Sequence, residues 1–104
     1  MKFDEKIHRG AVYRDAIEYY GAKNQVDVAL EEMGELIQAL MKERRCEEEW
    51  RRPDLRVHVA EEMADVEIML EQLKIIFKNE EAVEQWRGAK IERLERRLDG
   101  RIKE

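Results

Sequence analysis

The chain contains no serine and no threonine. That removes any serine or threonine nucleophile, and also the hydroxyl that a Walker-type phosphate loop places on its magnesium. Proline occurs once, glycine five times and cysteine once, so few positions serve turns and none can form an internal disulfide. Apolar runs are short. No segment approaches the roughly 18 apolar residues of a membrane span, and the opening MKFDEKIHRG lacks the apolar stretch of a secretory signal. Basic charge is in deficit, with 20 Lys and Arg against 25 Asp and Glu and a formal charge of −5, which gives no positive field for duplex nucleic acid. The expectation is a soluble cytoplasmic protein that engages neither membrane nor duplex nucleic acid, with Cys46 an inert thiol. At 104 residues there is room for a single domain, and so short a chain buries only a modest part of its surface alone, which favours oligomerisation.

What is present is helical periodicity, with no internal repeat and no alternating apolar-polar stretch of the kind a strand requires. The breaks are Gly21 with Ala22, Lys23 and Asn24, then Cys46 to Asp54 with the lone Pro53, then Asn79. They predict helices over 11–20, 24–45, 55–78 and 80–99, with Asp54 capping the third and Asn79 the fourth. The predicted fold is all-α, an antiparallel up-and-down bundle of about four helices per subunit.

Along the third helix a core stripe runs Leu55, Val59, Glu62, Val66, Met69, Leu73, Ile76. Every member is apolar except Glu62, which lies about 20° from Leu55 and Leu73 on the helical wheel. A lone carboxylate there must be compensated or become protonated. Asp65 stands one turn on, so the nearest neighbour adds repulsion and not relief. The second helix repeats the pattern: its apolar arc of Val26, Ala29, Leu30, Met33, Leu36, Ile37, Leu40 and Met41 is flanked by Glu32 and Glu35, which share a strip with Val28 and Ala39. Packed antiparallel, the two helices can bring four carboxylates to one point. Such an all-oxygen cage suits Mg²⁺, or Mn²⁺ as the alternative, and is poor for zinc.

Glu31-Glu32-Met33-Gly34-Glu35, followed after 26 intervening residues by Glu62-Met63-Ala64-Asp65, resembles the EExxE…ExxD signature of the MazG-like, all-α nucleoside triphosphate pyrophosphohydrolases. Gly21-Ala22-Lys23-Asn24-Gln25 resembles the element that often precedes it, and the likeness spans roughly residues 10–100. The resemblance implies a Mg²⁺-dependent enzyme that hydrolyses a nucleoside triphosphate to monophosphate and pyrophosphate, assembled as a homodimer or homotetramer. Glu32, Glu35, Glu62 and Asp65 take the metal-ligand positions. Glu31, about 100° round the helix from Glu32, takes a general-base or supporting role. The segment after Asp65 departs from some family members in lacking aromatic and asparagine residues, and there is no second such unit.

A triphosphate also needs cationic contacts. Lys90, Arg93, Arg97 and Arg101 form one strip on the fourth helix beside Ile91, Leu94 and Leu98, and Lys42 follows Glu35 on the second. For the base, Gln25 offers a donor and an acceptor, while Tyr13, Tyr19, Tyr20 or Trp50 could stack on it; Trp50 stands out because it sits in a charged loop. His58, four residues before Glu62, is expected at the helix start or as a support to the site; His8 is the other histidine. Three alternatives compete. A carboxylate-bridged di-iron bundle wants Glu-x-x-His pairs, which neither motif has. A non-catalytic assembly or nucleotide-binding protein of the same fold is the main alternative, and a coiled-coil adaptor conflicts with Glu62 in the seam.

Overall fold

The computed structural model describes residues 1–100; Arg101, counted above in the cationic strip, lies outside them. Among the described residues there are four α-helices and no strand: α1 (Phe3–Tyr20), α2 (Ala22–Arg44), α3 (Arg52–Phe77) and α4 (Glu80–Asp99), with a short 3-10 turn at Glu49–Arg51. No helix among them is long and apolar enough to cross a membrane.

Two helix starts differ most from expectation. α1 begins eight residues earlier than the apolar pattern suggests, because Gly10 is tolerated within it and Asp4 and Glu5 place negative charge at its N-terminus. α3 begins at Arg52, with Pro53 in the first turn, where its missing N–H is no loss. Asp54 is therefore a first-turn residue and not the cap. Asn79 does occupy the cap position of α4, but its side chain makes no capping bond and its Oδ1 is buried without a partner. The left-handed residue that ends α3 is Lys78, at φ 53°. Gly21 joins α1 to α2 at φ 92°, a conformation that strains any L side chain, and its N–H donates to the Ile17 carbonyl at 2.8 Å.

α2 and α3 form the central antiparallel pair, and α1 leans on both through the half-buried Tyr13, Ala16 and Ile17. α4 packs against α3 and not α2. The α3 stripe is as predicted, with each of its seven members buried or half-buried and Glu62 only 5% exposed. The face of α2 is not. Its seam runs Gln25, Ala29, Glu32, Leu36, Ala39, Glu43, while Leu30, Ile37, Leu40 and Met41 from the expected arc are exposed. The small side chains explain the rotation: Ala29 and Ala39, 1% and 2% exposed, let α2 approach α3 closely, whereas the larger aliphatics would hold it off.

Two polar ties fix the ends of the pair. Near the start of α2, the Gln25 amide donates to Gln72 Oε1 at 2.7 Å, with both side chains buried. At the other end Arg52 donates to Glu43 Oε1 at 2.8 Å, to the Glu43 carbonyl at 3.3 Å and to the Cys46 carbonyl at 2.7 Å, folding the connection onto the helix ends. The arginine holds the Glu43 carboxyl below the usual range.

The chain is open. Its radius of gyration is 17.5 Å, against about 13 Å for a compact domain of this length. Its accessible surface is 8885 Å², against about 6,200 Å² for a compact monomer of this mass.

Close approach at the alanines can be tested directly. Ala39→Leu is expected to destabilise the chain by about 1–3 kcal/mol through overpacking, read as a lower midpoint in denaturant with helical circular dichroism retained before the transition. Leu at the exposed position 40 is the matched control, since Leu40→Ala should change the midpoint far less.

Candidate metal centre

The antiparallel register brings both acid pairs into one layer. From the Gln25–Gln72 bond, Glu32 lies seven residues forward on α2 and Asp65 seven back on α3, so each is two turns from the tie and the two meet. Three residues further on, Glu35 meets Glu62 in the same way. One carboxylate oxygen each from Glu32, Glu35 and Glu62 lies within 4.8 Å of the others. Asp65 lies close enough to Glu32 for its charge to act on the Glu32 carboxyl.

Burial differs among the four. Glu62 is buried, Glu32 and Asp65 are half-buried, and Glu35 is exposed at the rim. Glu62 Oε2 and Glu32 Oε2 are both shut off from solvent with no hydrogen-bond donor. Burial, then the neighbouring acids Asp65, Glu35 and Glu62, push the Glu32 carboxyl above the ordinary carboxylate value. Glu62 is likewise raised, by burial first and then by Glu35 and Asp65, with His58 acting weakly in the opposite sense. Among the described residues no lysine or arginine forms an ion pair with the four acids. Two enclosed oxygens without donors, in a set of oxygen donors only, fit a hard divalent cation. Those residues could hold one.

The remaining site candidates lie apart from this layer. Glu31 is exposed, on the same turn as Glu32 but outside the cluster. Gln25 is committed to Gln72, and its own Oε1 accepts from Asn24 Nδ2 at 3.4 Å. Lys42 is exposed near the end of α2, and Trp50 is 76% exposed on the 3-10 turn. Lys90, Arg93 and Arg97 are exposed on α4, where Lys90 lines an open groove with Val83, Trp86 and Arg87. Tyr19 and Tyr20 are exposed at the end of α1, and Cys46 is half-buried with Sγ donating to the Glu48 carbonyl at 3.2 Å. Gly34, within the first acid motif, has no atom within 4 Å of where a Cβ would stand. Glu61 was passed over in the sequence; with His58 and Glu62 it forms a second group of potential ligands, signalled by the i, i+3, i+4 spacing.

Comparison of the chain with protein-family models, curated proteins and solved structures gives no match.

The raised carboxyls fix the sign of a pH effect. Below their unfolded value of about 4.5 both groups are protonated in either state and cost nothing; as pH rises through the folded values, the metal-free native state must ionise crowded acids and loses stability. Glu43, whose folded value is lowered, acts only as pH falls below that range. With chelator present, the melting temperature should therefore be higher at about pH 5 than at about pH 7. Glu62→Gln should raise the melting temperature at neutral pH without metal and weaken this slope. A slope unchanged in the variant would show that Glu62 does not carry the effect.

Proposed function

We propose that the chain is a Mg²⁺-dependent nucleoside triphosphate pyrophosphohydrolase, hydrolysing an NTP or dNTP to the monophosphate and pyrophosphate. The observation that carries this is the convergence of Glu32, Glu35, Glu62 and Asp65, from two helices, on one partly buried layer without a lysine or arginine ion pair among the described residues. Their spacing is the EExxE…ExxD pattern of the MazG-like enzymes, which the chain resembles.

Each group has a defined task in this assignment. Glu32, Glu35, Glu62 and Asp65 would hold the magnesium. A bound magnesium supplies neutralisation of triphosphate oxygens and a water of lowered pKa. Glu31 keeps its carboxylate outside the cluster, able to accept the proton from the attacking water. Trp50 offers an exposed ring for stacking on the base, and Lys42 a cation toward the phosphates. Gln25 can read a base only by giving up its bond to Gln72, so it serves first to align the acids. Since α4 does not touch α2 within a subunit, Lys90, Arg93 and Arg97 serve best in a site completed by a second copy.

The exposed surface supports assembly as a homodimer or homotetramer. The excess of about 2,700 Å² over a compact monomer exceeds the roughly 800 Å² that each partner contributes to a standard interface. The exposed aliphatics of α2 (Leu30, Ile37, Met41) and the apolar residues of α4 (Trp86, Ile91, Leu94) supply apolar surface on two separate helices. Light scattering should give a dimer or tetramer mass, reduced by Ile37→Glu. A monomer at all concentrations would refute the assembly.

The activity is tested with purified protein, Mg²⁺ and a panel of canonical and modified nucleotides, assayed for pyrophosphate. Turnover should require metal, and Glu62→Gln or Glu35→Gln should lower it at least about 100-fold, the scale of a lost metal contribution of several kcal/mol. Orthophosphate as the sole product, or no turnover of any nucleotide, rejects the pyrophosphohydrolase and leaves the non-catalytic alternative.

A further inference from the structure

His58 does more than open the turn that leads to Glu62. Its Nε2 lies 3.8 Å from Glu62 Oε1 and its Nδ1 lies 3.9 Å from Glu61 Oε1, so the imidazole stands between two carboxylates. A set with one ligand atom from each of His58, Glu61 and Glu62 lies within 4.8 Å. Ligand atoms around a four- to six-coordinate transition ion are about 3.0–3.4 Å apart. His58 and Glu61 are exposed, so their side chains are free to close the difference. Glu62 is 5% exposed, and its second oxygen is enclosed without a donor. An ion pair between His58 and the carboxylates would leave that oxygen unsatisfied; a cation shared with the acidic layer would not.

We infer that His58, Glu61 and Glu62 form a second cation site beside the all-oxygen layer, selective for a borderline transition ion such as Co²⁺ or Zn²⁺ over Mg²⁺. The selectivity comes from the nitrogen ligand. Imidazole raises affinity along the first-row series, whereas Mg²⁺ prefers oxygen and retains its waters. Glu62 belongs to both sets, so its carboxylate is positioned to bridge two cations, the arrangement that two-metal phosphoryl enzymes use. The bridging part of the inference rests on the proposed metal layer, while the histidine site itself can be measured without it.

Co²⁺ alone is the probe, titrated into the full chain in the absence of nucleotide and followed by calorimetry and by nuclear magnetic resonance of the imidazoles. His8 on α1 is the internal control. The His58 ring signals should shift or broaden at substoichiometric Co²⁺ while those of His8 stay unchanged, and Co²⁺ should bind more tightly than Mg²⁺. His58→Gln should weaken Co²⁺ binding at least about tenfold while leaving the Mg²⁺-induced rise in melting temperature in place. Equal effects on both histidines, or wild-type Co²⁺ affinity in His58→Gln, overturn the site. Glu35 lies in the oxygen layer alone, so the two sites fail separately. Mg²⁺ binding retained in Glu35→Gln rejects the oxygen layer, and Co²⁺ binding that still depends on His58 in that variant supports the histidine site.

Discussion

The register of α2 against α3 is the constraint on which the rest depends. Helical side chains recur by turns, so sliding one helix by a single turn, about 5.4 Å, would separate Glu32 from Asp65 and Glu35 from Glu62. Apolar contacts alone would resist such a slip weakly, since one aliphatic packs nearly as well as the next. The buried Gln25–Gln72 bond does not slip, because displacement leaves two amides unsatisfied in the seam. Arg52 holds the opposite end through three acceptors, two of them backbone carbonyls that no other register presents. The acid layer sits between these two pins.

Placing acids in the seam has a cost that shows in how little else is buried. Among the described residues, Ala29, Ala39 and Met69 are the buried apolar side chains, against an equal number of buried polar ones: Gln25, Glu62 and Gln72. The two alanines allow close approach but contribute little burial area, and the larger aliphatics of α2 point outward. A subunit made this way gives up core to hold charge. Its exposed apolar residues on α2 and α4 are a remaining source of hydrophobic stabilisation, which the proposed assembly would draw on.

Much of this was legible in the sequence. Glu62 was recognisable because one carboxylate interrupts a stripe of six apolar residues, and the structure buries it. The helix order and the α2–α3 pairing followed from the punctuation. The face of α2 was misjudged for a specific reason: hydrophobicity marks which residues avoid water without saying what they meet, and the arc of largest aliphatics faces away from α3. The signal for the true seam was the run Gln25, Ala29, Glu32, Leu36 and Ala39 at steps of four and three, of which Glu32 and Ala39 stood on the flank of the expected arc. The early start of α1 was hidden because residues 3–9 are exposed and carry no apolar period. Gln72 was invisible as a register pin, since a buried amide is explained only by the partner that the fold gives it.

The separation of charge within the subunit bears on the order of events at the proposed site. Among the described residues the four acids have no lysine or arginine ion-paired with them, and the cations of α4 stand on a helix that does not reach α2. A free triphosphate approaching the layer meets charge of its own sign, and at a few ångströms in a partly desolvated site that repulsion is not screened by salt. Attraction requires either a divalent ion already in the layer or one that arrives with the nucleotide. Neutralising the crowded acids and recruiting the substrate are then one electrostatic event. In the proposed enzyme, the repulsion expected to weaken the metal-free fold at neutral pH would also exclude nucleotide until a cation is there to bind it.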